Sequence, residues 1–309
     1  MPVTKALAGS SSPAEEPAFM LMRNGFLQNF GLRELSEASN RAINSIKINS
    51  ITCEMRDRKA MWVKRRRKGS ELIAGQANLF FRLAQGRVHV WIDPKKWQRW
   101  EVYCFRLLNA PEFQALAEGS RTVWMDALPG MHLCQHLERG TLTPSALEAA
   151  GRELNRAHQL WCPEFDDWWS HGDPHLDNVI YDPATDRARL VDFEAVHDRS
   201  LPAVLRQADD LLVFLQDLVC RVSAKKWLPF AFCFINAYGR SEVISELCRF
   251  LFVPAGLPGL WWRLRTENFE RRELIRRIDA LRHALSENVE NAESAANGAD
   301  FGLWGEAGL

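Results

Sequence analysis

Residues 168–182 read Trp168-Trp169-Ser170-His171-Gly172-Asp173-Pro174-His175-Leu176-Asp177-Asn178-Val179-Ile180-Tyr181-Asp182. After Pro183-Ala184-Thr185-Asp186 the chain continues Arg187-Ala188-Arg189-Leu190-Val191-Asp192-Phe193-Glu194. Residues 178–182 and 187–192 have the composition of short strands, and the Pro/Asp-rich stretch between them is turn chemistry. A hairpin centred near Thr185 sets Asn178 and Asp192 opposite each other at its open end. Asp173 lies in the loop that enters that end. Two carboxylates and a carboxamide therefore converge on one spot. Hard oxygen donors in that arrangement suit Mg²⁺, which keeps several waters and takes one or two carboxylates together with substrate phosphates. Taken singly, each of these residues reads as an ordinary turn residue. The coincidence of four positions with the hairpin spacing is what gives the segment its weight.

At these residues the sequence resembles the protein-kinase-like superfamily. H-G-D-x-x-x-x-N, a hairpin and D-F-E are similar to its aminoglycoside phosphotransferase branch, which also holds choline-type and lipopolysaccharide-core sugar kinases. Protein kinases carry H-R-D and D-F-G at the corresponding places. The resemblance implies an α+β, bilobal protein-kinase-like fold, with a small β-rich N-lobe and a mainly helical C-lobe. It implies ATP and Mg²⁺ as cofactors, Asp173 as the base that takes the acceptor hydroxyl's proton, and His171 as a brace of the loop. Asn178 and Asp192 would hold Mg²⁺ against the nucleotide phosphates. It also implies a nucleotide-binding Lys in the N-lobe, paired with a helical Glu. Lys64, at the end of the apolar run Met61-Trp62-Val63, is the candidate, with Glu101 as its partner and Glu71 as the alternative. An acid early in the helix after D-F-E should anchor the catalytic loop, and of Asp209 and Asp210 the second is preferred.

The rest of the chain is read around that motif. With 309 residues and 47% hydrophobic content it can bury a large core, and 25% charged residues do not suggest wholesale disorder. Lys plus Arg and Asp plus Glu are both 39, so the basic excess of a general nucleic-acid binder is missing. Seven cysteines, with no C-x-x-C pair, suggest neither a disulfide framework nor a zinc site. Residues 1–17 are expected to be a loose, disordered tail, 18–125 the nucleotide-binding lobe, 126–285 the catalytic lobe, and 286–309 a mobile acidic tail. Within the first lobe, residues 45–66 read as a hairpin turning at Arg56-Asp57-Arg58-Lys59. A helix follows over 93–109, then strands over 112–116 and 121–125, the second leading into a hinge at Leu128-Pro129-Gly130. Helices are expected from Thr143-Pro144, over 202–222 and over 267–285.

Two departures from the family pattern stand out. No glycine occurs between Gly31 and Gly69, so no G-x-G-x-x-G precedes Lys64, and Trp62 stands where protein kinases prefer Ala. Gly172, D-F-E and the short segment before Asp209 argue against a protein kinase and for a small-molecule or glycolipid-sugar acceptor. A catalytically inactive kinase-like scaffold and a compact atypical protein kinase are the competing readings. The chain is expected to be cytoplasmic, with no nucleic-acid partner. The basic run at 64–68 and the apolar stretch at 71–83 suggest peripheral contact with the inner face of a membrane through residues 64–83. The alternative is that the apolar stretch packs on its own lobe.

Overall fold

The computed structural model describes residues 48–266 and 269–300. The expected tail at 1–17 and residues 301–309 lie outside them. A four-stranded antiparallel sheet forms the first lobe, built from β1 (Asn49–Arg56), β2 (Lys59–Arg66), β4 (Ala115–Glu118) and β5 (Thr122–Asp126) in the order β1-β2-β5-β4. The β1–β2 hairpin closes through Asp57 and Arg58, both at positive φ (50° and 65°), which is the backbone of a type I′ turn. That turn fixes the register Lys64↔Ile51, and β5 pairs Val123 with Lys64 on the other side. Lys64 is therefore held on a central strand.

Two helices join this sheet. The first, α1 (Ser70–Leu83), leads into the short strand β3 (Val88–Val90). The second, α2 (Pro94–Asn109), starts at Asp93, whose carboxylate accepts the Lys95 N–H at 2.9 Å, with Pro94 in the first turn. Its apolar stripe, Trp97, Trp100, Cys104, Phe105 and Leu108, is buried. The strand expected at 112–116 begins instead at Ala115. Phe113 N–H closes back onto the Asn109 carbonyl at 3.0 Å, so the first residues after Pro111 form a turn.

Helices dominate from Leu133 onward: α3 (Leu133–Glu138), α4 (Pro144–His158), α5 (Ala203–Arg221), α6 (Ala224–Tyr238), α7 (Ser241–Phe250), α8 (Gly256–Arg265) and α9 (Arg271–Asp300). Of these, α5 is the spine and is buried without interruption from Arg206 to Val219. The close packing of α4 on α6 requires Gly151, because a Cβ there would lie 2.3 Å from the Phe234 carbonyl oxygen. The last helix runs past residue 285, where the acidic tail was expected to begin. Residues 286–296 are rich in Ala and Glu and free of Pro and Gly, which lets the helix continue through them. None of the described helices is long and apolar enough to cross a membrane.

A small sheet carries the chemistry: β9 (Val179–Asp182) pairs with β10 (Arg187–Leu190) on one side and β6 (Met131–His132) on the other. The hairpin register pairs Val179 with Leu190, and the Val191 N–H donates to the Asn178 carbonyl at 3.0 Å. Asp192 thus lies one residue beyond Asn178's cross-strand neighbour, a correction of one position to the expected pairing. Finally, β3 pairs with β11 (Ala195–His197), so the α1–β3 segment is tied to the catalytic lobe. On one face of α1, Ala74, Ala77 and Phe81 share a second apolar cluster with Ile48, Val88, Val90 and Trp261 of α8.

Candidate active site

The loop between β8 (Asp167–Trp168) and β9 carries His171, Gly172 and Asp173, and a 3-10 turn at Leu176–Asn178 ends it. Gly172 sits at φ 93°, and a Cβ there would lie 2.5 Å from the Ala195 carbonyl oxygen, so only glycine lets the loop lie against β11. Asp210 of α5 anchors the loop from below. Its Oδ2 accepts the His171 N–H at 2.7 Å, and its Oδ1 accepts the Gly172 N–H at 2.8 Å. His158 Nε2 lies 3.0 Å from the same carboxylate, and Tyr238 Oη lies 2.9 Å from His158 Nδ1. Burial opposes ionisation of Asp210, yet His197 and then His158 hold its carboxyl below the usual range. His171 is wholly buried, with Nε2 3.1 Å from the Val191 carbonyl and Nδ1 accepting the Asp173 N–H at 3.3 Å. Burial pushes its ring down to about 4, which fits a neutral imidazole tying the loop to β10's end.

Asp173 stands above this support with 11% of its side chain exposed. Burial raises its carboxyl to about 6, against the pull of His175 and Arg265. Asn178 donates from Nδ2 to the Asp173 carbonyl at 2.8 Å, which leaves its Oδ1 uncommitted. Asp192, at φ 66°, turns out of the strand direction toward the first lobe. There it meets Lys64: Nζ lies 2.6 Å from Asp192 Oδ1 and 2.5 Å from Glu101 Oε1. Glu101 comes from α2 and is fully buried, with Trp97 Nε1 donating to its Oε1 at 3.2 Å. The other candidate partner, Glu71, pairs with Arg121 instead. Of the residues singled out from the sequence, Lys64, Glu101 and Asp192 thus meet directly, Asn178 is tied to the Asp173 carbonyl, and His171 braces the loop from within.

Two further groups belong to the site and were not assigned from sequence. Glu194 Oε2 lies 3.9 Å from Lys64 Nζ and accepts from Asn49 Nδ2. Burial and the neighbouring Asp192 push its carboxyl up to about 8. The E of D-F-E was the signal, read as a departure from D-F-G rather than as an added carboxylate. His175 Nε2 lies 3.6 Å from Asp173 Oδ2. Burial would lower its ring, but Asp173, Asp217 and Asp177 outweigh that and raise it. His175, Asp177 and Asp217 are close enough together to suggest a metal site of their own. The contacts argue otherwise: Asp217 accepts from the Leu176 N–H and from Arg221 Nε, and Arg221 also pairs with Asp177.

A cavity of about 430 Å³ opens in front of these groups. Ile51 and Trp62 wall it from the first lobe, the chain at 126–128 closes its back, and Ile180 and Val191 line the other side. Lys64, Asn178 and Asp192 stand at its polar end. Trp62 and Lys64, two residues apart on β2, both face this space. An apolar slot leading to an ammonium and two free carboxylate or carboxamide oxygens suits a planar base with a phosphate tail. The donor set also fits a hard divalent cation, since carboxylate and amide oxygens outnumber the single ammonium.

No protein-family model matches the chain, and no curated protein matches it. Among solved structures it is similar to an ethanolamine kinase of Plasmodium vivax, with a TM-score of 0.42 and 8% identity. The similarity covers 80% of this chain and 85% of that one. A likeness of that degree carries no weight for function, which rests on the site itself.

Proposed function

We propose that the chain is an ATP- and Mg²⁺-dependent phosphotransferase that acts on a hydroxyl of a small molecule or a glycolipid sugar. The observation that carries this reading is the meeting of Asn178 and Asp192 with the Lys64–Glu101 pair at the polar end of one cavity, with Asp173 beside them, its backbone carbonyl accepting from Asn178. Mg²⁺, held by Asn178 and Asp192, would neutralise phosphate charge and fix the phosphates in place. The chain's own groups do the rest. Trp62 and Ile51 cover the base, and Lys64, oriented by Glu101, meets the phosphates. Asp173 orients the acceptor oxygen and takes its proton as that oxygen bonds to the γ-phosphorus and the bridging oxygen leaves with ADP. His175 supplies positive charge beside that step. Such catalysis is largely positioning and charge stabilisation.

The exposed face of α1, with Leu72 at 71%, Leu79 at 59% and Leu83 at 59% accessible, supports a glycolipid acceptor met at a membrane surface. Its basic complement is thinner than the run at 64–68 suggested, because Lys64 and Arg66 point inward and are buried. The test is label transfer from γ-labelled ATP into a cell extract split into glycolipid and water-soluble fractions, with Asp173→Asn as control. Asp173-dependent label in either fraction supports the phosphotransferase and names its acceptor class. No label in either, with no binding of Mg-ATP by calorimetry, would leave a scaffold.

A further inference from the structure

A second cavity, of about 410 Å³, lies between α2 and the turn that joins β7 (Trp161–Cys162) to β8, and it shares no lining residue with the one that holds Lys64. Its walls are the rings of Trp91, Trp100 and Tyr103, and among the described residues no Leu, Ile, Val or Met lines it. Neighbours hold these rings in place. Trp100 stacks on Tyr103 with ring centres 5.9 Å apart, and it meets Phe165 edge-on at 5.7 Å. Trp91 packs edge-on against His89 at 5.0 Å, and the buried Arg66 donates to its carbonyl at 2.5 Å. Walls ordered in advance lose little freedom when a ligand arrives.

The polar groups around this space are unfinished. Lys96 and Arg99 line it, both are exposed, and among the described residues neither pairs with a carboxylate, although Glu164 lines the same cavity. Lys96 Nζ stands over the Trp91 ring, 5.7 Å from its centre, and Arg99 Nε donates to the Lys95 carbonyl at 3.4 Å. Trp91 Nε1 and Trp100 Nε1 are buried without a hydrogen-bond partner, whereas a buried indole N–H usually has one. Neither donor touches solvent, so first recognition falls to the ring faces and the two cations.

Aromatic walls with a cationic rim select a ligand of two parts. A flat ring, whether a base or the C–H face of a sugar, stacks on indole and phenol rings, whose faces carry negative charge. A phosphate on that ring meets Lys96 and Arg99, and the guanidinium fork takes two of its oxygens at once. Glu164 offers an acceptor to a hydroxyl or amino group of the ring. We propose that this cavity is a binding site for a ring-bearing monophosphate, a sugar phosphate or a nucleotide, separate from the candidate active site. The inference stands apart from the phosphotransferase reading, since no residue of that mechanism lines the cavity.

Calorimetric titration of the full chain with glucose 6-phosphate and adenosine monophosphate, against glucose, adenosine and inorganic phosphate, tests it. At least one ring-bearing phosphate is expected to bind about tenfold or more tightly than both its unphosphorylated parent and inorganic phosphate. The double variant Lys96→Gln/Arg99→Gln should lose that advantage, and Trp91→Ala should weaken the same probe by a similar factor. Both cations are exposed, so the double variant keeps its fold, which thermal melting verifies. Neither lines the Lys64 cavity, so its loss of affinity reports on this site alone. Binding by the sugar phosphate alone, or by the nucleotide alone, supports the site and names its source. No binding of either phosphate probe, inorganic phosphate binding as tightly as both, or undiminished affinity in the double variant would overturn the proposal.

Discussion

Two buried carboxylate clusters lie on either side of the catalytic loop, and they are built on opposite principles. Below the loop, Asp210 is finished: both oxygens accept backbone N–H groups of His171 and Gly172, and His158 completes the shell. Above it, Glu101, Asp192 and Glu194 crowd around the single ammonium of Lys64. Glu101 Oε2 is buried without a partner. Lys64 and, more weakly, the Arg66 guanidinium do not outweigh the burial of all three. Asp192 stays low, because Lys64 outweighs its burial, while burial pushes Glu101 and Glu194 up. The difference separates structure from function. A carboxylate whose hydrogen bonds are complete holds a loop, whereas carboxylates in excess of the neighbouring positive charge are, on the proposed function, the ones that would meet Mg²⁺.

The comparison can be broken most directly at Asp192. Asp192→Asn should lower phosphoryl transfer on the order of 10²–10³-fold, the range for removing one pre-organised charge-stabilising group, while the fold is kept. Steady-state assay alongside thermal melting would show it, and an unimpaired rate would mean that Asp192 is not a ligand.

Asp210→Asn should behave in the reverse way. It removes the charge facing His158 and gives one backbone N–H of the loop a donor instead of an acceptor, at a cost of about 3 kcal/mol in stability. Denaturant unfolding measures this. A stability close to that of the parent would make Asp210 dispensable and erase the contrast.

A subtler effect is the sign of the pH dependence in the two clusters, measured as melting temperature in EDTA. The native His171 ring titrates near 4, against 6.5 in the unfolded chain, because burial disfavours its charge. The unfolded state therefore takes up the proton first, and this contribution is complete above 6.5 and lost as pH falls toward 4. Native Glu194 titrates near 8, against 4.5 unfolded, so its contribution is full below 4.5 and lost as pH rises toward 8. Glu194→Gln should remove the alkaline loss and leave the acid loss in place. Saturating Mg²⁺ should also offset the alkaline loss, because it favours the ionised carboxylates. An alkaline slope that survives Glu194→Gln would point to another group.

The smallest effect is expected at the surface. Arg152 Nη2 lies 2.8 Å from Asp186 Oδ2, a distance as short as many in the core, but both side chains are about half exposed. Arg152→Ala should cost under ~0.5 kcal/mol, since water and salt screen such pairs. A larger loss would show that geometry alone, without burial, decides the worth of an ion pair here.

Much of the catalytic side was legible in the linear chain. His171, Asp173, Asn178 and Asp192 lie within one loop and hairpin, where turn chemistry and strand period bring them together with little help from the rest of the fold. Lys64 and Glu101 could be picked out from an apolar strand and an amphipathic helix, although whether Glu71 or Glu101 faced the ammonium was left open by the pattern. The register of β2 on β5 and the burial of α2 settled that choice in favour of Glu101. Residues 241–250 carry an amphipathic pattern, whereas 256–265, with Gly256, Pro258 and Gly259, show little outward sign of a helix. Short segments depend on packing more than on propensity, and both of these pack against α5.

The sequence by itself determined the local constellation, because turns, strand alternation and helix caps act over a few residues and need no partner. It also made the bilobal α+β architecture expected, since the motif and the change from strand-like to helical patterning lie on one chain. Only the tertiary structure decided which charges are surplus. Whether Glu194 and Glu101 are matched or left over depends on burial and on neighbours far along the chain, and electrostatic energy in a dry interior is set by that three-dimensional company.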